Sequence, residues 1–232
     1  TLKRAINEGY LRKYEYEVIP IKVFISENDL HINGDAETIN RAVDLFYAGA
    51  EKYAIENAFE ILNQDDTERL LIYTGPTVKI AEDLVNDIKS KQPWNVTAKV
   101  KKFTSRESSA KRRVILNEFK WGRTKMLVAI KCLDEGVNLP IADTAIMVES
   151  AAADDRQWIQ RRGRILRRVG KEEKNAKIID FHPIFEGPAL ITGQVGDSLQ
   201  QRRESSWNRI QEFIGTAEVK SRLSFGDTWR RI

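Results

Sequence analysis

Residues Arg69–Phe103 read RLLIYTGPTVKIAEDLVNDIKSKQPWNVTAKVKKF, and the fold is decided here. The opening Arg69-Leu70-Leu71-Ile72-Tyr73-Thr74 is an apolar run of strand length that stops at Gly75-Pro76. A helical pattern follows from Thr77 to Lys91, with Val78, Ala81, Leu84, Val85 and Ile88 on one face. Val96 to Phe103 then alternates as a strand with one buried face does. Strand, helix and strand in units of about thirty residues predict right-handed crossovers and a mostly parallel sheet.

The same rhythm extends towards the C-terminus. Ser105 is positioned to cap a basic helix reaching Phe119, and Lys125–Ile130 and Thr144–Val148 read as buried strands. Asp154 or Asp155 starts a helix through Arg167, and Ala176–Phe181 forms a last strand. After His182-Pro183 the periodicity fades until a polar helix pattern at Ser198–Ile214. Towards the N-terminus, Gln64-Asp65-Asp66 ends a long helix spanning Ala36–Leu62, capped by Asp35 and preceded by a turn-rich Ser26–Gly34. Tyr14–Val18 alternates like a strand, and Thr1–Tyr10 contains a short helix ending at Gly9. The expected fold class is α/β, with helices flanking a mostly parallel sheet.

Composition narrows the function classes. The 232 residues carry 38 Lys+Arg against 34 Asp+Glu, a net charge of +4, which permits a polyanionic partner without requiring one. One cysteine, Cys132, rules out a disulfide framework and fits a reducing, cytoplasmic compartment. With two histidines, a His- or Cys-rich zinc site is nearly excluded, and no metal site is expected. No apolar run approaches the roughly 20 residues of a membrane span, so no membrane partner is expected. The chain opens on Thr1, and it reads as a piece of a longer protein.

Three constellations carry chemistry. Tyr73-Thr74-Gly75-Pro76 lies just past a strand end, and Thr104-Ser105-Arg106 is a similar strand-to-helix turn. Backbone N–H groups and hydroxyls at such helix starts can hold nucleic-acid phosphates. Leu127–Ile130 is a buried strand running into a loop, Lys131-Cys132-Leu133-Asp134-Glu135-Gly136-Val137-Asn138-Leu139-Pro140, on the side where open parallel sheets bind ligands. Gln160-Arg161-Arg162-Gly163-Arg164-Ile165-Leu166-Arg167-Arg168 holds five arginines, and Gln160, Gly163, Arg164 and Arg167 share one helical face. Two guanidinium groups one turn apart can grip phosphate oxygens bidentately. By composition alone this last stretch reads as a solvated basic face, and each loop as an ordinary connection. Asp65-Asp66 and Asp154-Asp155 read as helix caps, Cys132 as a small buried side chain, and Trp121 and Trp158 as core.

In chain order, these three elements resemble motifs four, five and six of superfamily 2 helicases and translocases. Gln160–Arg167 matches the Q-x-x-G-R-x-x-R pattern completely, and Asp134–Pro140 follows D-E-G-x-N-x-P. Arg112, Ile115, Leu116 and Phe119, leading to Gly122, resemble the family's R-x-x-I-L-x-x-F-x-x-G helix. The flavour is that of the branch containing restriction-enzyme motor subunits and xeroderma-type DNA repair helicases. Ala5–Leu11 followed by Tyr14-Glu15-Tyr16 looks like the linker that joins the two motor lobes there.

The resemblance implies the second, C-terminal RecA-like lobe of such a motor. Its implied layout is an interlobe linker over 1–25, an accessory helical segment over 26–64, the RecA-like domain over 65–185 and a C-terminal extension over 186–232. In the family ATP and Mg2+ are bound mainly by the N-terminal lobe, and no G-x-x-x-x-G-K-[ST] phosphate loop occurs in this sequence. Half an ATPase site is therefore expected, silent without its partner lobe. On the family's scheme Arg164 and Arg167 are catalytic arginine fingers, and Gln160 fixes nucleotide or water geometry. Glu135, Gly136, Asn138 and Gly163 are nucleotide-binding, Asn138 standing where aspartate is commoner. Thr74, Gly75, Thr104, Ser105, Arg106 and Lys131 contact a DNA or RNA backbone. The alternative is a catalytically silent RecA-like lobe serving as a nucleic-acid-binding or protein-docking module.

Overall fold

Apolar runs of four residues can lie in the middle of a sheet only if both faces are covered, and that is the arrangement the chain adopts. The computed structural model describes residues 2–63, 67–75, 77–94, 98–130, 142–148, 163–168, 174–188 and 193–217. Its elements are α1 (Leu2–Asn7), β1 (Tyr14–Phe24), α2 (Glu27–Asn63), β2 (Leu70–Tyr73), α3 (Val78–Ser90) and β3 (Val100–Phe103). They continue with α4 (Ser109–Lys120), β4 (Met126–Ala129), β5 (Thr144–Met147), β6 (Ala176–Glu186) and α5 (Gln194–Ile214). The six strands form one sheet in the order β1-β6-β5-β2-β4-β3. Every pairing is parallel. This is the RecA-like α/β arrangement.

Strand alternation divides the core in two. Leu70, Ile72, Met126 and Val128 pack with Phe46, Ala54, Leu84, Ile88 and Val195 under α2, α3 and the start of α5. Leu71, Tyr73, Leu127 and Ala129 face the other way, onto Ile6, Phe119, Ile165, Leu166 and Phe213. The long α5 therefore serves both layers, Leu199 on one side and Ile210 and Phe213 on the other.

Several expected boundaries move. The turn-rich Ser26–Gly34 is helical from Glu27, where Ser26 N–H and Oγ both donate to Asp29 Oδ2 (2.9 and 2.8 Å) and the side chain of the first turn satisfies the N–H ahead of the helix. Thr38 Oγ1 nevertheless donates to the Asp29 carbonyl at 3.0 Å, and Arg41 pairs with Asp29 at 2.7 Å. A straight helix would separate Asp29 and Thr38 by about 13 Å along its axis, so α2 is bent over its first turns. Ser108, not Ser105, caps α4, its side chain accepting from Lys111 N. β6 runs on through His182-Pro183 to Glu186. Beyond Asp180 it pairs with β1 alone, where a proline is tolerated. β1 likewise continues past Val18, through Pro20 to Phe24, at the edge of the sheet. Trp121, expected in the core, is 72% exposed as the residue after α4, with Lys120 Nζ 5.5 Å from its ring centroid.

Candidate functional site

The arginine stretch begins the site. Gly163–Ile165 has helical backbone. Ile165 and Leu166 are buried against the α1–α4 layer, whereas Arg164 is half-buried and Arg167 exposed. The helix does not reach Arg167 as expected. The Leu166 carbonyl accepts from Arg12 N–H at 2.7 Å, and Arg167 forms an isolated antiparallel bridge with Leu11. A β-bridge to the chain ahead of β1 replaces the next helical turn.

Arg12 sits at the middle of this junction. Its Nη2 donates to the Ala142 carbonyl at 2.6 Å and to the Ile165 carbonyl at 2.8 Å. Burial lowers its pKa from the ordinary arginine value, and Asp143 nearby opposes that shift. Asp143 in turn accepts from the backbone N–H groups of Glu68 and Arg69 at 3.2 and 2.9 Å. Leu11 and Arg12 precede β1, and Ala142 precedes β5, so Ile165–Arg168 is anchored at the amino-terminal rim of the sheet.

Of the expected backbone-contact residues, Thr74, Gly75, Thr104, Ser105 and Arg106 lie at the opposite, carboxyl-terminal rim. Thr74 and Gly75 follow β2 and are buried. Thr74 N–H donates to the Ala129 carbonyl at 3.0 Å. Burial raises the pKa of Glu51 on α2, and the nearby Thr74 hydroxyl opposes the rise. A Cβ on Gly75 would come within 3.2 Å of Ile80 Cδ1. Thr104 is also buried, and its N–H and Oγ1 both donate to Glu107 Oε2, at 2.7 and 2.6 Å. Its side chain is thus a turn-former with its donor already committed, and the exposed groups of that loop belong to Ser105 and Arg106. The rims are separated by the four-residue strands, roughly 13 Å at about 3.3 Å per residue.

Lys131, Glu135, Gly136, Asn138 and Gln160 lie outside the described residues, as do Cys132, Trp158, Asp65-Asp66 and Asp154-Asp155. Among the described residues there is no group of three or more His, Cys, Asp or Glu side chains that could hold a metal. No helix among them is long and apolar enough to cross a membrane.

Two features escaped the sequence reading. Arg12 stands alone ahead of an alternating strand, where no pattern marks it. The other is a buried polar cluster joining β6 to α5. Asp180 accepts from Tyr16 OH at 2.5 Å and pairs with Arg209 Nε at 3.3 Å, and Arg209 Nη2 reaches Ser206 Oγ at 3.1 Å. His182 Nδ1 lies 3.1 Å from the same hydroxyl. Asp180 inside the apolar run Ile178-Ile179-Asp180-Phe181 is the one signal that could have pointed there.

The family described as Helicase conserved C-terminal domain matches residues 53–169, just over half of the chain. The DNA 3'-5' translocase XPB2 of Sulfurisphaera tokodaii is 29% identical over 145 residues, which cover 62% of this chain and 28% of that protein. Among solved structures, a DEAD box protein from the hyperthermophile Methanococcus jannaschii is 12% identical, with a TM-score of 0.49 over 93% of this chain and 42% of that one. The C-terminal domain of the DEAD-box protein Dbp5 is 15% identical, with a TM-score of 0.48 over 89% of this chain and 98% of that one.

Proposed function

Because the chain belongs to the helicase conserved C-terminal domain family, we propose that it is the second motor lobe of an ATP-dependent nucleic-acid translocase or helicase. One observation carries this reading: the complete Q-x-x-G-R-x-x-R run, Gln160–Arg167, falls inside the matched residues. The relative named as a DNA translocase makes DNA the favoured track.

ATP suits the donor set on the amino-terminal rim. Arg164 and Arg167 offer guanidinium groups, and a Cβ added at Gly163 would meet nothing within 4 Å, which leaves room for a ligand beside that backbone. The nucleotide supplies a phosphoryl group whose charge grows during transfer, and guanidinium groups stabilise that growing charge. Arg164 and Arg167 serve as the fingers, Gln160 orients nucleotide or water, and Glu135, Gly136 and Asn138 shape the base-and-ribose side. Mg2+ and the remaining phosphates belong to a lobe with a Walker A loop. Ser105 and Arg106 on the other rim contact the nucleic-acid backbone, as does Lys131, with Thr74, Gly75 and Thr104 shaping the turns that present the first two. Such contacts carry no sequence information and weaken with salt.

The test joins this chain to an ATP-binding lobe and replaces Arg167 with alanine. An arginine finger is worth about 10³–10⁵ in rate, so kcat should fall on that order. Near-normal turnover would remove the assignment. The chain by itself should release no phosphate from ATP, with or without nucleic acid.

A further inference from the structure

We propose that Arg12 is a positioning residue for the arginine pair, fixing Ile165–Arg168 to the chain that enters the lobe. This rests on the roles given above to Arg164 and Arg167. Three segments far apart in sequence converge on this one residue: Leu11-Arg12 ahead of β1, Ala142 ahead of β5, and the end of the arginine stretch. Arg12 is 5% exposed, its Nη2 bonds carbonyls 130 and 153 residues away, and its own N–H bonds Leu166.

The grip falls on the residues between the two arginines. Ile165 and Leu166 are fully buried, so their side chains set the depth of the segment. Depth alone leaves rotation and sliding about those anchors, and the carbonyls of both residues are taken by Arg12. A second contact lies one step on, where Arg168 Nη1 donates to the Gly9 carbonyl at 2.9 Å. Gly9 has φ +76°, a backbone conformation that glycine adopts without strain and other residues rarely take. The incoming chain therefore holds the arginine stretch at residues 165, 166 and 168 and bridges it at 167.

Arg12 is a poor choice for stability alone. A buried cation is costly unless its donors are satisfied, and Arg12 Nε has no hydrogen-bond partner. What the guanidinium provides instead is a fixed spacing between two carbonyls. A displacement of about 1 Å in a catalytic group can cost on the order of a hundredfold in rate.

The experiment is a double-mutant cycle in the chain joined to its ATP-binding lobe, read by single-turnover ATP hydrolysis and by KM. Arg12→Ala should lower the hydrolysis rate about 10- to 100-fold with KM for ATP nearly unchanged. Arg12→Lys, whose ammonium can still donate to carbonyls, should recover much of that loss. In an Arg167→Ala background Arg12→Ala should cost clearly less than it does in the wild type, since one of the two groups it positions is gone. If the losses multiply instead, if KM rises in place of the rate falling, or if Arg12→Ala behaves as wild type, the positioning role is overturned. If Arg167→Ala is itself near normal, the arginine-finger reading fails first and is recognised separately. Should Arg12→Ala not fold, Arg12→Met, which keeps much of the buried volume and donates no hydrogen bond, carries the same cycle, judged by the same non-additivity.

Discussion

Acidification should destabilise this chain through one histidine, and the size of the effect can be worked out. His182 has no exposed surface, its ring stands edge-on to Trp207 at 6.0 Å, and its Nδ1 lies 3.1 Å from Ser206 Oγ. Burial, reinforced by the positive charges of Arg209 and Arg203, lowers its pKa from 6.5 to about 3. The folded value is below the unfolded one, so the unfolded chain takes up the proton first as pH falls. The neutral histidine's contribution is therefore whole above pH 6.5 and drains away as pH drops towards 3. At about pH 5 the unfolded ring is mostly charged and the folded ring is not. A gap of about 1.5 pH units at 1.36 kcal/mol each is roughly 2 kcal/mol, a large share of a typical domain's 5–15. Urea unfolding of the wild type and of His182→Gln at about pH 7.5 and about pH 5 measures it. Glutamine can still bond Ser206 but does not titrate, so carboxylate effects common to both chains cancel. The wild type should lose roughly 2 kcal/mol more than the variant on acidification. Equal losses in the two chains would refute the reasoning.

Glu107→Ala should cost roughly 1–3 kcal/mol in urea unfolding, because it strands the Thr104 N–H and hydroxyl that share Oε2 in a buried turn. Gly49→Ala should lose roughly 1–3 kcal/mol by the same measurement, since its Cβ would stand 2.6 Å from Ile21 Cγ2 on a stiff β-branched side chain. Arg106→Ala should weaken nucleic-acid binding equally for all sequences and reduce the slope of log affinity against log salt by about 1, as read in fluorescence anisotropy titrations. An unchanged slope would take Arg106 out of the interface.

Periodicity exposed the strands because β2, β4 and β5 are buried on both faces, leaving uninterrupted apolar runs between turns. It missed the first turns of α2, where Gly34 and Asp35 spell a turn while the Ser26–Asp29 hydrogen bonds hold the start of a bent helix. It cut β6 short at Phe181 because Pro183 ends most strands, and nothing local reveals that this stretch pairs on one side only. Ser105 and Ser108 are equivalent caps by residue type. Glu107 decides between them by folding back onto Thr104, an interaction three residues long that a capping rule does not encode. The arginine stretch was legible as a motif, but its anchoring was not, since Arg12 meets Ile165 across 153 residues. Local pattern reports which face a residue takes; it carries no information about which distant carbonyl a buried cation will find.

The two rims set a physical condition on the proposed motor. Between them lie strands only four residues long, wholly buried, each in register with its neighbours and packed on both faces. Close-packed cores of this kind switch between discrete arrangements and do not flex continuously. A phosphate event at Arg164 and Arg167 would therefore reach Ser105 and Arg106 by movement of the sheet as a body. A body moves relative to whatever it is tied to, and at the amino-terminal rim the tie is Gly9–Arg12, the very chain that enters the lobe. Loosening that tie should uncouple ATP turnover from nucleic-acid stimulation before it abolishes either. In the two-lobe protein, Arg12→Ala should lower the ratio of stimulated to basal ATPase rate while basal hydrolysis, though slowed, stays measurable. A ratio equal to the wild type's would mean that the coupling runs elsewhere.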